Sequence, residues 1–483
     1  MSDSTDATTV DRAAPRVYMI DSPTTRDRDD AFRVDKTDTG YRVTVHVARV
    51  ADHVPLGSDE DLAARAAGWT LYGPRRVTPM LGETIEDLAT LKHQESRPTV
   101  AIQIDLSETG EVVGRELRRD IALNPVALTY ASATTTLDET DHRWRPDLIT
   151  AHHLAMILLD RRRNDGALAL YDLADGWTVT EEGVLIPLAD IERNVAYVIV
   201  QEMMIVANAA VAAWAAEREL PILYRNHQAS AVAPSLSEIA QDIRVAQNSA
   251  DPAADFRTLR QRTSLTMKKA TYGPRLLGHY GLSLPSYTHS TSPLRRYADL
   301  VTQRQLLAAL DERELPYSAE SLTEIAESLR ETAALRSAAV TAREKAKDVD
   351  RTLTAVGRAN SLADLSTERW LKTLKLATKG PYLAPVAIEV RRRIDARLLD
   401  HQDAAYVLGA NDSWRELKLD LLTYVDEHNP AMASMLLNQY QQQNADALPV
   451  TYQESQDGPR TRRSSPSTRA SDRSACSLAP PRP

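Results

Sequence analysis

The segment DSPTTRDRDD (residues 21–30) places Asp21, Asp27, Asp29 and Asp30 within ten residues. Four carboxylates so close together repel one another unless a cation neutralises them. Hard oxygen donors of this kind suit magnesium or manganese, which polarise a phosphate and activate water. A solvated acidic loop accounts for an isolated cluster about equally well. A calcium EF-hand does not, because its Gly and terminal Glu are missing. A second motif bears on the choice. In YTHSTSPLRRYADLVTQR (residues 287–304), Ser292-Pro293 reads as an N-cap followed by Pro at the first helical position, which puts Arg295 and Arg296 in the first turn. Cations there oppose the helix dipole by roughly a few tenths of a kcal/mol, so local stability does not select them. A bound anion reverses the balance, since helix N-termini and guanidinium groups both prefer phosphate. A surface Arg295–Asp299 pair at i,i+4 spacing accounts for one arginine but not for two.

The elements around these motifs are of two kinds. From Val17 to about Leu106 the pattern is strand-like: VYMI, AFRV, YRVTVHVARV and TVAIQIDL, separated by turn residues. Helical patterns follow at residues 151–163, 195–216 and 322–348. Strands mixed with helices over this length predict one large mixed α/β catalytic body, residues 15–350. The stretch 195–216 is long enough to span a bilayer, but Gln201, Glu202 and Asn208 interrupt it, so it reads as a buried core helix. That leaves Glu202 unexplained. After Ser361 the character changes. Residues 362–428 are expected to be a smaller helical domain, with a helix-turn-helix-like RNA-binding unit as one reading of it. Lys372, Lys375 and Lys379 cluster near one turn, and Arg391, Arg392, Arg393 and Arg397 lie along one helix. Such clusters contact nucleic-acid backbone or are simply solvated, with about equal prior. Residues 1–14 and 460–483 are polar and expected to be disordered.

The chain has 483 residues, 43% hydrophobic and 26% charged, the mix of a globular protein of more than one domain. A formal charge of −9 excludes a uniformly basic coat for nucleic acid, but not a local basic channel. The single cysteine, Cys476, excludes an intrachain disulfide and a Cys-based metal site. The polar start carries no signal-peptide pattern, so a cytoplasmic location is expected.

Together the motifs resemble the ribonuclease II family, whose catalytic domain is called RNB. The resemblance runs, with gaps, from about Val17 to about Lys347. Its segments stand in family order: DSPTTRDRDDAF, VTVHVARVADHVPLGS, WTLYGPRRVTPML, LRRDIALNPVALTY, VQEMMIVAN, LYRNH, ATYGP, GHYGL and YTHSTSPLRRYADL. It implies an RNB fold and processive, magnesium-dependent hydrolysis of RNA from single-stranded 3′ ends to nucleoside 5′-monophosphates, with manganese as an alternative ion. By the same resemblance Asp21, Asp27 and Asp30 mainly hold metal, and Asp29 helps position metal and the attacking water. Arg295 stabilises charge on the scissile phosphate, and Arg296 steers the backbone. Tyr72 holds the terminal nucleotide, while Tyr130 and Glu202 orient the 3′ end, which gives Glu202 its reason. Tyr72 as an ordinary turn residue, Tyr130 as packing after a strand, and His46, His279 and His289 as hydrogen-bonded core histidines are the bland readings.

The chain also departs from the family pattern. Arg49 stands where relatives usually carry Asp, and Leu170, with Tyr171 beside it, stands at the usual stacking aromatic. Oligonucleotide-binding barrels are not recognisable on either side. Residues 429–459 resemble only part of a double-stranded-RNA-binding domain. Structured RNA is an expected partner of the C-terminal region, and neither a membrane nor a protein partner is implied. The rival readings are a metal-dependent endoribonuclease or phosphodiesterase on the same site, and a non-catalytic RNA-binding regulator.

Overall fold

Alternating β-branched and aromatic residues, as in AFRV and YRVTVHVA, give each strand one row of apolar side chains per face. In chain order the strands are β1 (Tyr18–Asp21), β2 (Asp30–Thr37), β3 (Gly40–Ala48), the short pair β4 (Leu71–Tyr72) and β5 (Val77–Thr78), β6 (Arg97–Ser107), β7 (Val112–Ala122) and β8 (Val126–Thr129). Six of them form one sheet in the order β7-β6-β3-β2-β1-β8. Only the β1–β8 contact in it is parallel. The tight β2–β3 hairpin turns through Asp38 and Thr39 into Gly40, whose φ of 148° and closeness to the Leu106 carbonyl leave no room for a Cβ.

This computed structural model describes residues 16–73, 76–167, 194–229, 268–359 and 361–428, the backbone of three short strands between 171 and 187, and scattered positions at 238–245, 430 and 434. The expected leader 1–14, the tail 460–483, all but two positions of 429–459, Leu170 and the side chain of Tyr171 lie outside the described residues. The chain divides after Arg336 into two compact units, a break that falls within the long helix Ala319–Gly357.

In the first unit both faces of the sheet are covered where the chemistry-bearing segments lie. Helices α1 (Asp59–Ala67), α2 (Glu83–Ala89), α3 (Tyr130–Asp138), α4 (Arg145–Asn164) and α5 (Val195–Glu217) follow in chain order. Phe32, Val43, Val45 and Ile104 meet Leu154 and Leu158 of α4 and Met203 and Val206 of α5 on one face. Met19, Ala31 and Ala48 meet Leu294, Tyr297, Leu300 and Ile325 on the other. Helix α5 passes the length and apolarity test for a membrane span, yet Ile199, Met203, Ala207 and Val211 on it are core residues of this unit. Each large aliphatic side chain so buried contributes about 1.5–3 kcal/mol.

The strand region continues past Leu106, where the sequence pattern ends it. The pattern gives no strand at β7 because the row Glu116, Arg118 and Asp120 is charged and the strand borders the sheet, and edge strands carry such charges. A cavity of about 760 Å³ opens on the far half of this sheet, beside Arg33, Arg42 and Arg118. Those cations are matched by carboxylates, Arg33 with Asp35 and Arg42 with Asp105 at 2.6 Å and Arg118 with Asp120 at 3.1 Å. It therefore offers little uncompensated charge to a ligand.

The second unit is helical, with helices Thr367–Ala377, Ala384–Asp395, His401–Leu408 and Arg415–His428. Trp370, Leu374, Val390, Val407, Trp414 and Leu421 form its core. Asp403 belongs to a capping box with Asp400 and accepts a hydrogen bond from the Trp370 indole at 2.7 Å.

Candidate active site

The acidic loop is shaped by its two strands. Tyr18 faces Phe32 across β1 and β2, so Asp21 at the end of β1 and Asp30 at the start of β2 emerge at the same end of two central strands. The loop between them is strapped by Thr90, whose hydroxyl accepts from the Arg28 N–H and donates to the Arg26 carbonyl, both at 2.9 Å. The Leu91 N–H reaches the Arg28 carbonyl at 2.9 Å, and the Ala48 N–H reaches that of Asp29 at 2.8 Å. On the other side of β1 the parallel neighbour β8 sets Thr129 opposite Asp21. Tyr130, the next residue, therefore opens α3 at the same sheet end.

The arginine segment approaches from across the chain, and here the structure corrects the sequence reading. Arg295 and Arg296 do not occupy the first helical turn. Ser292 to Arg295 form a turn, Arg296 is extended at φ −135° and ψ 124°, and the helix Tyr297–Leu310 begins after it. The cause is non-local. The Thr70 N–H bonds the Arg295 carbonyl at 2.9 Å and the Tyr297 N–H bonds that of Gly68 at 2.8 Å, so the segment pairs with residues 68–70 instead of continuing as helix. Gly68, at φ 74°, closes α1 and permits that turn. This stitch also delivers Tyr72, two residues further on, whose hydroxyl donates to the Asp27 carboxylate.

The ion pair considered from the sequence also shifts by one residue. Arg296, not Arg295, pairs with Asp299, at 2.8 Å, and Asp299 also accepts from the Ser292 N–H at 2.8 Å. Arg295 is left facing the acids. Its Nε lies 3.6 Å from Asp29 Oδ2 while a terminal nitrogen donates to Ser292 Oγ at 2.8 Å.

The carboxylates are poorly compensated. Asp29 is 3% exposed. Its Oδ1 accepts from the Leu294 N–H at 2.7 Å, while its Oδ2 has no hydrogen-bond partner. Burial raises its pKa well above the ordinary carboxylate range, Arg295 and the Leu294 N–H oppose the rise, and Asp30 and Asp27 add to it. Asp30 is pushed up to about 7, by burial first and then by the charge of Asp21. Asp21 is pushed up to about 6 by burial, against Arg28 and Arg295. Burial and the bond to Asp27 raise the Tyr72 phenol, and burial and the charge of Asp21 raise that of Tyr130. Asp21, Asp27, Asp29, Asp30, Arg295, Tyr72 and Tyr130 thus share one electrostatic neighbourhood.

Among the described residues no three His, Cys, Asp or Glu side chains close into a ready-made metal cage. Magnesium does not require one. It keeps several waters and binds through one or two carboxylates plus substrate phosphates. A buried carboxylate oxygen without a partner, surrounded by raised acids, fits a hard cation. Asp21, Asp27, Asp29 and Asp30 are the residues that would hold it.

Two expected site residues take other partners. Both carboxylate oxygens of Glu202, 1% exposed, are engaged by Arg162 of α4, at 2.5 and 3.0 Å. Arg296 turns to Asp299 as described. Sequence reading missed three groups. Arg162 gave no signal because its partner lies 40 positions away on another helix. Glu86 of α2 is buried and pushed up to about 7, by burial and then by Asp27. Tyr197 of α5 stacks on Tyr130. Among the histidines, His46 meets the Thr99 hydroxyl at 3.1 Å, His289 meets that of Tyr272 at 2.7 Å, and His279 accepts from the Leu282 N–H at 3.2 Å. Arg49 pairs with Asp52 at 2.7 Å.

The profile of the RNB domain matches residues 10–312, more than half of the chain. Ribonuclease R of Aquifex aeolicus is 28% identical over 325 residues, 62% of this chain and 46% of that protein. Ribonuclease R of Vibrio parahaemolyticus is 30% identical over 315 residues, 60% of this chain and 38% of that protein. The chain therefore spans less than half the length of these curated relatives. Among solved structures, Mycoplasma genitalium RNase R in complex with double-stranded RNA aligns with a TM-score of 0.59 at 22% identity, covering 74% of this chain and 70% of that one. Yeast Ssd1, described as a pseudonuclease, aligns at 0.54 and 21%, covering 66% and 42%. At such identities the solved structures establish the fold alone. The profile match over the sheet and acidic loop makes this chain a member of the RNB family.

Proposed function

We propose that this chain is a magnesium-dependent exoribonuclease that degrades RNA processively from single-stranded 3′ ends. The observation that carries the reading is Asp29. It is a buried carboxylate with one oxygen unbonded, held among three further aspartates and beside an arginine aimed at them. An ordinary fold does not retain such a group, whereas a site that binds a cation and a phosphate uses it.

The chain's own residues then have separable tasks. The aspartates supply oxygen ligands, and Asp29 also holds the attacking water by accepting its hydrogen bond. Bound magnesium, or manganese in its place, neutralises phosphate charge and makes that water more acidic. The water oxygen bonds to phosphorus and the bond to the 3′ oxygen of the preceding nucleotide breaks. A nucleoside 5′-monophosphate leaves, and the shortened RNA keeps a 3′ hydroxyl. Arg295 stabilises the negative charge that gathers on the phosphate oxygens. Tyr72 and Tyr130 seat the terminal nucleotide. Glu202 contributes by way of Arg162, and Arg296 by shaping the turn that aims Arg295. Structured RNA would reach the helical unit through Lys372, Lys375 and Lys379. Arg391 there is already paired with Asp420, and Arg392 and Arg393 with Glu389.

Purified full-length chain incubated with 5′-labelled and 3′-labelled single-stranded RNA tests the reading. Stepwise shortening of the 5′-labelled strand with immediate release of labelled mononucleotide from the 3′-labelled one supports it. Internal fragments would make the protein an endoribonuclease. RNA bound but left intact would make it a non-catalytic binder.

A further inference from the structure

We infer that Tyr197 is a positioning residue that holds Tyr130 in the attitude needed to seat the RNA 3′ end. This deepens the exoribonuclease reading and rests on it. The rings of Tyr130 and Tyr197 lie 3.8 Å apart, centroid to centroid, and 6° from parallel. Aromatic pairs left to themselves favour an offset or edge-on arrangement, so a near-parallel overlap points to rings held by their backbones.

The local structure supplies that hold. Tyr130 is the first residue of α3, fixed by a reciprocal capping box between Thr129 and Ser132. Tyr197 lies in the first turn of α5, where its N–H donates to the N-cap side chain of Asn194 at 3.3 Å. Five residues further along α5, Glu202 is clamped to Arg162 of α4. Two capped helix starts, one anchored by a buried ion pair, therefore bring the rings together. Both rings are half-buried. Tyr130 follows Thr129, the residue paired with Asp21 at that end of the sheet, while Tyr197 stacks on it from a different helix. The stack gives Tyr197 a route to the site by way of the ring of Tyr130.

The test is a double-substitution cycle in the full-length chain, measuring kcat and KM for stepwise degradation of 5′-labelled single-stranded RNA. Tyr197→Phe keeps the ring and should behave as the parent. Tyr197→Leu should raise KM about two- to tenfold, the range that a lost stacking contact implies, with kcat within about threefold and the thermal midpoint little changed. In a Tyr130→Leu background the same change should add nothing, because the ring it supports is gone. Should Tyr197→Leu fail to fold, Tyr197→Met fills the same space without a ring and carries the same expectation. Additive losses in the double variant, or a Tyr197→Phe loss as large as that of Tyr197→Leu, would overturn this role while leaving the exoribonuclease reading intact. A parent chain that cuts internally or not at all would overturn both.

Discussion

Glu389 in the helical unit and Asp29 in the sheet unit are equally buried, 2% and 3% exposed. Glu389 accepts from Arg392 at 2.7 Å and from Arg393 at 2.8 Å, and those bonds hold its carboxyl below the ordinary range. Asp29 has Arg295 no nearer than 3.6 Å, one oxygen unbonded, and a carboxyl driven the other way. Burial is common to both, so the partners decide the sign. A buried carboxylate with its cation in place is a structural device whose net contribution to stability is small. One left without a full partner lowers stability, and it persists where function uses the charge.

The comparison can be broken at several points. The largest effect is expected at Arg295. Arg295→Lys should lower RNA turnover by about a hundredfold or more with little change in thermal stability, since lysine cannot present a planar two-pronged contact to phosphate. Turnover within a few-fold of the parent would move Arg295 to a structural role. Next comes Glu389→Gln, which leaves the half-buried Arg393 without its counter-charge. It should destabilise the helical unit by about 2–3 kcal/mol in denaturant unfolding and leave kcat on short RNA unchanged. A loss of activity there, without unfolding, would contradict the division of tasks.

His46 sharpens the contrast on the sheet side. Burial lowers its pKa from 6.5 to about 4. The unfolded chain therefore takes up a proton between those values that the folded chain refuses. Its contribution is fully present above pH 6.5 and is lost as pH falls towards 4. His46→Asn, which does not titrate, should narrow the stability difference between pH 7 and pH 4 by about 3 kcal/mol. The smallest effect belongs to the exposed lysines. Changing Lys372, Lys375 and Lys379 together to Gln should flatten the salt dependence of binding to long RNA by about 2 in log–log slope, at roughly 0.7–0.9 per phosphate contact. An unchanged slope would remove these lysines from the RNA path.

Much of this architecture was legible in the sequence because its cause is local. The alternating strands, the apolar α5 and the helical character of residues 362–428 follow from periodicity. The acidic loop announced itself by crowding of like charge. What failed was set by distant partners. Ser292-Pro293 carries a local helix-start signal, yet Arg296 is extended because residues 68–70 pair with its segment. The engagement of Glu202 by Arg162, and the stack of Tyr197 on Tyr130, join residues on separate helices, and no spacing rule connects them. The arginines of residues 391–393 read as a basic face, while Glu389 and Asp420 neutralise them in the fold.

Asp29→Asn tests the central claim most directly, because catalysis and stability should move in opposite directions. The substitution keeps a side-chain oxygen for the Leu294 N–H and removes the charge that the fold leaves unsatisfied. RNA turnover should fall by orders of magnitude while affinity for single-stranded RNA stays near the parental value. The thermal midpoint measured in a metal chelator should hold steady or rise. Near-parental turnover, or a folded state clearly weakened by the change, would show that Asp29 is a structural carboxylate of the same kind as Glu389.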